Sequence, residues 1–266
     1  LLNNTTGGNN TALGVNTLIN NTTGSRNTAV GMESLYYNNV GNNNSAFGYQ
    51  ALLNNTTNNN SAFGYKALSA NTTGHRNAAF GNNALINNTS GNYNVAMGHQ
   101  TLFSNTIGIF NVAIGDESLY SNTTGNRNTA VGRATLYNNT IGSFNSAFGM
   151  YALVNNTTGV ANTSIGYNTL LANTTGANNT AIGYQSLNAN TGGYNNTSVG
   201  YASLQTNVVG GNNTSVGYQS LFSNTTNNNS AFGYRSLYSN TSGAFNSAFG
   251  YRALLNAPEV LEYKDL

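Results

Sequence analysis

A glycine returns about every 17 residues along nearly the whole chain, and that phase constrains the fold more than any other feature. Gly14, Gly31, Gly48, Gly64, Gly81, Gly98, Gly115, Gly132, Gly149, Gly166, Gly183, Gly200, Gly217, Gly233 and Gly250 each sit in one pattern, Asn-(Thr/Ser/Val/Ala)-(Ala/Ser)-apolar-Gly-x-x-(Ala/Ser/Thr)-Leu. Twelve of the fourteen intervals are 17 residues and two are 16. Both short units, Asn55 to Asn60 and Asn224 to Asn229, read NTTNNN where most others read NTTGxxN, and the phase recovers at once. A polar low-complexity tract has no reason to keep such phase. The chain is therefore read as a repeat protein whose polar residues occupy fixed turn positions.

Counting from the motif glycine as position zero, Asn stands at −4 and Leu at +4 in all fifteen units, and Asn recurs at +7 in all but the last. Representative positions are Asn27, Gly31, Leu35 and Asn38; Asn111, Gly115, Leu119 and Asn122; and Asn179, Gly183, Leu187 and Asn190. Position −2 is always Ala or Ser, and −1 is always large and apolar. A unit of this length cannot hold two helices and their turns, and Asn, Thr, Gly and β-branched residues are poor helix formers. The stretch −3 to −1 reads as a short strand, and +1 to +5 as a second. Gly at zero and the Asn-Thr-Thr-Gly run at +7 to +10 read as turns that use positive φ.

The fold expected is all-β: a parallel β-solenoid of about fifteen 17-residue coils spanning residues 1–254, which begins in mid-repeat. At ~4.8 Å per coil the stack would be a rod on the order of 70 Å long. Asn at −4 and +7 would form amide ladders along the axis, and Leu at +4 with the −1 residue an apolar column. Tyr at +1 recurs in eight units (Tyr49, Tyr65, Tyr167, Tyr184, Tyr201, Tyr218, Tyr234 and Tyr251). The small residue at −2 implies a close approach, either of opposing walls within a coil or of a neighbouring chain. After Leu254 the pattern stops, and Pro258, Glu259, Glu262, Lys264 and Asp265 mark residues 255–266 as a cap or an exit into a further segment. A proline and charges there would protect the solenoid end from templating further strands.

The motifs NVAIG at Asn111–Gly115, NTAVG at Asn27 and Asn128, and NTAIG at Asn179 resemble the SVAIG-type head repeats of trimeric autotransporter adhesins. The longer run Asn179-Thr-Ala-Ile-Gly-Tyr-Gln-Ser-Leu187 is similar to the NTAIGYQAL repeats of phage tail fibres and related bacterial surface proteins. The resemblance covers residues 1 to 254. It implies a left-handed parallel β-roll, three chains packed side by side as a homotrimer, and an extracellular place on a virion or bacterial cell surface, with attachment to a receptor or glycan. The adhesin repeat is usually shorter, and position −3 here is more often Thr or Ser than Val.

Composition excludes other classes. Charged residues are 5% of the chain, with Lys+Arg 8 against Asp+Glu 6, so there is no basic face for nucleic acid. No apolar run is long enough to insert as a membrane helix, and there is no Cys for a disulfide or thiolate site. The only histidines are His75, in a turn, and His99; Asp116-Glu117 is a single acidic pair at positions held elsewhere by Tyr-Gln or Arg-Ala. Catalysis, metal binding and cofactor binding all need such groups to converge, so no enzyme, metal or cofactor is expected. Three functions remain: a structural or attachment fibre; an ice- or glycan-binding solenoid using Thr ranks such as Thr22-Thr23 and Thr174-Thr175; or a self-assembling filament subunit. In the first, Tyr and Phe ranks would contact sugars through their ring faces.

Overall fold

A computed structural model describes residues 1–256; most of the expected cap, residues 257–266, lies outside the described residues. The coils fall into two compact units, Leu1–Ile141 and Gly142–Leu266. The first carries β1 (Thr11–Leu13), β2 (Thr28–Val30), β3 (Ser45–Phe47), β4 (Ser61–Phe63), β5 (Ala78–Phe80), β6 (Val95–Met97), β7 (Val112–Ile114) and β8 (Thr129–Val131). The second carries β9 (Ser146–Phe148), β10 (Thr163–Ile165), β11 (Thr180–Ile182), β12 (Thr197–Val199), β13 (Thr214–Val216), β14 (Ser230–Phe232) and β15 (Ser247–Phe249). Within each unit every strand pairs in parallel with the next in chain order, as in Thr180↔Thr197, Ala181↔Ser198 and Ile182↔Val199. Each is a β-solenoid, and no helix occurs among the described residues.

Only one strand forms per coil. The expected second strand at +1 to +5 is instead a turn, because +2 and +4 are left-handed: Gln185 has φ 54° and Leu187 φ 50°. Alternating left-handed residues reverse successive amides, so the wall still bonds to both neighbours. Gln185 N–H donates back to Tyr167 O at 3.0 Å, and Leu187 N–H donates forward to Ser203 O at 3.0 Å. A left-handed leucine costs roughly 1–2 kcal/mol. Complete burial of Leu187 and its counterparts from Leu18 to Leu237 returns a comparable ~1.5–3 kcal/mol each.

The core of a coil is small. In the coil around Gly183, Ala181 at −2, Ser186 at +3, Leu187 at +4, Asn179 at −4 and Asn190 at +7 are each 0% exposed. The −2 residue packs inside its own chain: Ser186 Oγ donates to Ser198 Oγ of the next coil at 2.7 Å, and Ser203 repeats the contact with Ser215 at 2.7 Å. Of the two readings left open for the small residue, wall-to-wall packing is the one found. The −1 residue is a second correction. It stays partly or largely exposed in every coil, because side chains alternate along a strand and −2 takes the inner face.

Two buried asparagine ladders run through the coils. Asn179 N–H donates to Asn162 Oδ1 at 3.0 Å, and its Nδ2 donates to Gly193 O at 2.8 Å. Asn190 Nδ2 donates to Asn173 Oδ1 at 2.9 Å and to the same Gly193 O at 3.2 Å. One carbonyl at +10 thus accepts from both ladders. Asn27 and Asn38 repeat this about Gly41 O at 2.8 and 3.0 Å, as do Asn111 and Asn122 about Gly125 O at 2.8 and 3.1 Å.

The two glycine ranks answer different needs. The motif glycines have positive φ, 128° at Gly183 and 133° at Gly132. The +10 glycines do not use positive φ, contrary to the turn expectation. They are glycine for room: a Cβ on Gly176 would lie 2.3 Å from Asn173 Oδ1 and 2.5 Å from Gly193 O. Both short coils place Thr at this carbonyl, Thr57 and Thr226, which accept from Asn55 Nδ2 at 2.9 Å and Asn224 Nδ2 at 2.8 Å.

Gly176→Ala should destabilise the protein by about 1–3 kcal/mol through overpacking, whereas Gly192→Ala, whose Cβ would meet nothing closer than 3.5 Å, should leave the melting temperature unchanged. Asn179→Ala strands Asn196 N–H, which bonds Asn179 Oδ1 at 3.0 Å, and removes a donor from Gly193 O. At roughly 1–3 kcal/mol per orphaned buried group, thermal denaturation should show a larger loss than Thr175→Ala on the exposed corner.

Candidate functional site

With −2 turned inward, the outer face of each strand consists of −3 and −1. Along the first unit the −1 rank runs Leu13, Val30, Phe47, Phe63, Phe80, Met97, Ile114 and Val131. Along the second it runs Phe148, Ile165, Ile182, Val199, Val216, Phe232 and Phe249. In-register pairing aligns identical side chains, and the phenylalanines stack: Phe47 on Phe63 at 4.7 Å, Phe63 on Phe80 at 4.8 Å, and Phe232 on Phe249 at 5.0 Å between centroids. Met97, Ile114, Phe148 and Ile165 remain 37–42% exposed. Each unit therefore shows a continuous apolar stripe that no other part of the unit covers.

A second rank lies at +1, one residue beyond the motif glycine. In the second unit Tyr167, Tyr184, Tyr201, Tyr218, Tyr234 and Tyr251 stack in sequence at 5.0–5.5 Å. In the first unit Tyr49 stacks on Tyr65 at 5.4 Å. A third rank at +5 joins Phe103, Tyr120 and Tyr137 at 5.0 and 4.9 Å. These rings spend their faces on one another. Interior members such as Tyr201 have both faces covered, so sugar stacking on ring faces, expected from the sequence, is closed to them. Burial first, then the Glu117 carboxylate and Tyr120, hold the Tyr137 hydroxyl above the ordinary tyrosine range. Its neutral form is favoured on folding, so that small contribution is present below the ordinary tyrosine pKa and lost as pH rises through the raised one.

Two residues singled out in the sequence, His99 and Asp116, share the +1 rank of successive coils with Arg133. Asp116 lies 3.1 Å from His99 Nδ1 and 3.7 Å from Arg133 Nε, with all three side chains 45–59% exposed. Such an exposed cluster is worth ~0–1 kcal/mol. Among the described residues no serine or threonine hydroxyl hydrogen-bonds His99, and His75 stands at −6 of its coil. Among the described residues no group of three His, Cys, Asp or Glu could hold a metal ion, and no helix is long and apolar enough to cross a membrane.

The threonine rank at +8 is committed to the backbone. Thr157 Oγ1 donates to Thr174 O at 3.1 Å and Thr174 Oγ1 to Thr191 O at 3.2 Å. The backbone converges there too, since the N–H groups of Thr174, Thr175 and Gly176 all donate to Thr191 O at 2.9, 3.1 and 3.2 Å.

The apolar stripe had a sequence signal that was read differently: −1 is invariably large, but it lies one residue from an invariably small −2, and alternation allows only one of them inside. Ring self-stacking had a signal too, because parallel in-register strands place identical residues about 4.8 Å apart. Replacing Tyr201 by Ser removes two stacked neighbours and should cost about 1–3 kcal/mol. Tyr201→Phe should be close to neutral in the same melting experiment.

Neither the protein-family models nor the curated proteins compared with this chain match it.

Proposed function

We propose that the chain is a non-catalytic segment of an extracellular attachment fibre, assembled from three parallel copies and carried on a virion or bacterial cell surface. The observation that carries this reading is the apolar −1 stripe. A partly exposed hydrophobic rank repeated in every coil is an interaction surface rather than a random surface feature. Its regularity suits a partner with the same repeat, and the simplest such partner is another copy in the same register. The in-register Phe and Tyr ranks beside it leave few charges to oppose close packing, in keeping with the 5% charged composition.

The thin core supports the same reading. Coils such as the one around Gly183 bury one leucine, two small residues and two asparagines, with the large −1 residue left partly outside. Covering the stripe on three chains would add the apolar burial that the coil interior lacks. Within this reading the partners are two further copies and a receptor or glycan, with no role for nucleic acid or membrane insertion. An ice-binding solenoid is less well supported, because the +8 hydroxyls already donate to backbone carbonyls. The rank beside them is broken by Ile107, Ile141, Gly192 and Val209.

Light scattering coupled to size exclusion should give about three chain masses. Introducing Phe63→Glu and Ile182→Glu together should yield a monomer whose β-type circular dichroism is retained. A wild-type chain that stays monomeric at micromolar concentration contradicts the assembly.

A further inference from the structure

The first short coil opens a cleft of about 300 Å³ lined by Thr57, Asn58, Asn59, His75 and Arg76. Its origin is local. The coil has one residue fewer between Asn55 and Asn60 than the 17-residue coils beside it, so the corner recedes beneath the next coil, which carries His75 and Arg76. The Asn60 amide and the Thr57 hydroxyl both donate to Gly74 O, which holds the floor in register with that coil. The Asn58 side-chain Oδ1 accepts from Asn42 N–H at 2.7 Å and from Asn42 Nδ2 at 3.3 Å, leaving its Nδ2 outside those bonds.

The cleft is cationic without a counter-charge. Arg76 is placed by an aromatic residue rather than by an acid: its Nη1 donates to the Tyr93 hydroxyl, and Cζ lies 5.2 Å from the Tyr93 ring centroid. His75 meets the same ring edge-on at 5.5 Å. Tyr93 in turn stacks on Phe110 at 4.8 Å, which fixes the platform. The described acids, Glu33, Asp116 and Glu117, all stand at +1 or +2, on the turn after the motif glycine rather than on this corner. The −5 rank of the first unit instead holds Arg26, Arg76 and Arg127.

We propose that this cleft binds an acidic sugar, a pyranose bearing a carboxylate or a sulfate ester. The guanidinium presents a planar pair of donors suited to such an anion. His75 adds a ring nitrogen, and the Asn58 and Asn59 side-chain amides offer polar groups to ring hydroxyls. The volume is at the lower end of small-ligand sites, about 300 Å³, which fits one sugar residue. The second short coil supplies an internal comparison. Thr226, Asn227 and Asn228 repeat Thr57, Asn58 and Asn59, but the next coil carries Ala244 and Phe245 where the first has His75 and Arg76. Thr226 Oγ1 donates to Gly243 O at 2.6 Å, as Thr57 Oγ1 donates to Gly74 O. The floor of the corner is thus common to both coils, and His75 and Arg76 belong to one. The biological setting of the site rests on the attachment reading; the binding event does not.

Titration of the whole chain with methyl β-glucuronide and methyl β-glucoside, followed by calorimetry or ligand-observed NMR, tests this directly, since the two differ only in carboxylate against hydroxymethyl. The glucuronide should bind with a stoichiometry of one per chain and the glucoside at least about tenfold more weakly, the loss of one charge-assisted pair. Arg76→Gln should abolish the difference. Arg76→Gln should keep the wild-type circular dichroism, so that lost discrimination cannot come from misfolding. Equal binding of both sugars, no binding of either, acetate or sulfate binding as tightly as the glucuronide, or an unchanged Arg76→Gln would each overturn the proposal. A trimer that fails to bind rejects the site and keeps the fibre, whereas a monomer that binds does the reverse.

Discussion

Everything in a coil is arranged around one backbone carbonyl at +10. Two asparagine amides reach it from opposite sides, and each asparagine also bonds its counterpart in the coil before. A solenoid with such a slight apolar core would have little to set the pitch and phase of its turns. The amides do so because a buried asparagine left with an unmatched group costs roughly 1–3 kcal/mol, a penalty renewed at every coil if the register drifts. The glycine rank at +10 follows from the same requirement, since a Cβ there would occupy the space that the amide oxygen fills. The second short coil interrupts the ladder, since the Asn207 side-chain oxygen just before it finds no partner, whereas at the first Asn55 Nδ2 still reaches Asn38 Oδ1 at 3.3 Å.

The period and its two short units were fully readable, because identical residues at a constant spacing have no other simple cause. So were the asparagine ranks and the inwardly packed leucine. What could not be read was the path of +1 to +5. Leucine at +4 and Gln or Arg at +2 carry no propensity for left-handed backbone, and a run such as Tyr-Gln-Ser-Leu-Asn looks like an ordinary strand. Only the tertiary demand to bond forward and backward from one wall puts those residues at φ near 50°. The −1 residue was misplaced for a different reason. Hydrophobicity argues for burial, but a strand three residues long has one inner position, and the invariant Ala or Ser at −2 fills it.

The same arrangement connects fold to function. A wall that needs its interior for amides and small residues displays its larger apolar side chains outside, and parallel register turns each into a stripe. Such a surface calls for a partner of the same period, which is the physical content of the fibre proposal. Variation is then confined to corners that the ladders do not use. The +1 rank changes from Met and Tyr to His99, Asp116 and Arg133 without disturbing the strand beside it, and the shortened corner at Asn58 and Asn59 lets the next coil present His75 and Arg76 over a cleft. The recognition chemistry proposed for this chain lies at a place where the repeat is interrupted.

The central claim is that buried asparagine amides hold the coils in phase, and side-chain amide hydrogen exchange followed by NMR tests it most directly. The Nδ2 protons of Asn179 and Asn190 should exchange orders of magnitude more slowly than those of Asn178, whose side chain stands exposed one residue away, because they open only when the coil itself opens. Exchange of the −4 and +7 amides at the rate of Asn178 would mean that the ladders are not formed in solution, and would contradict the account.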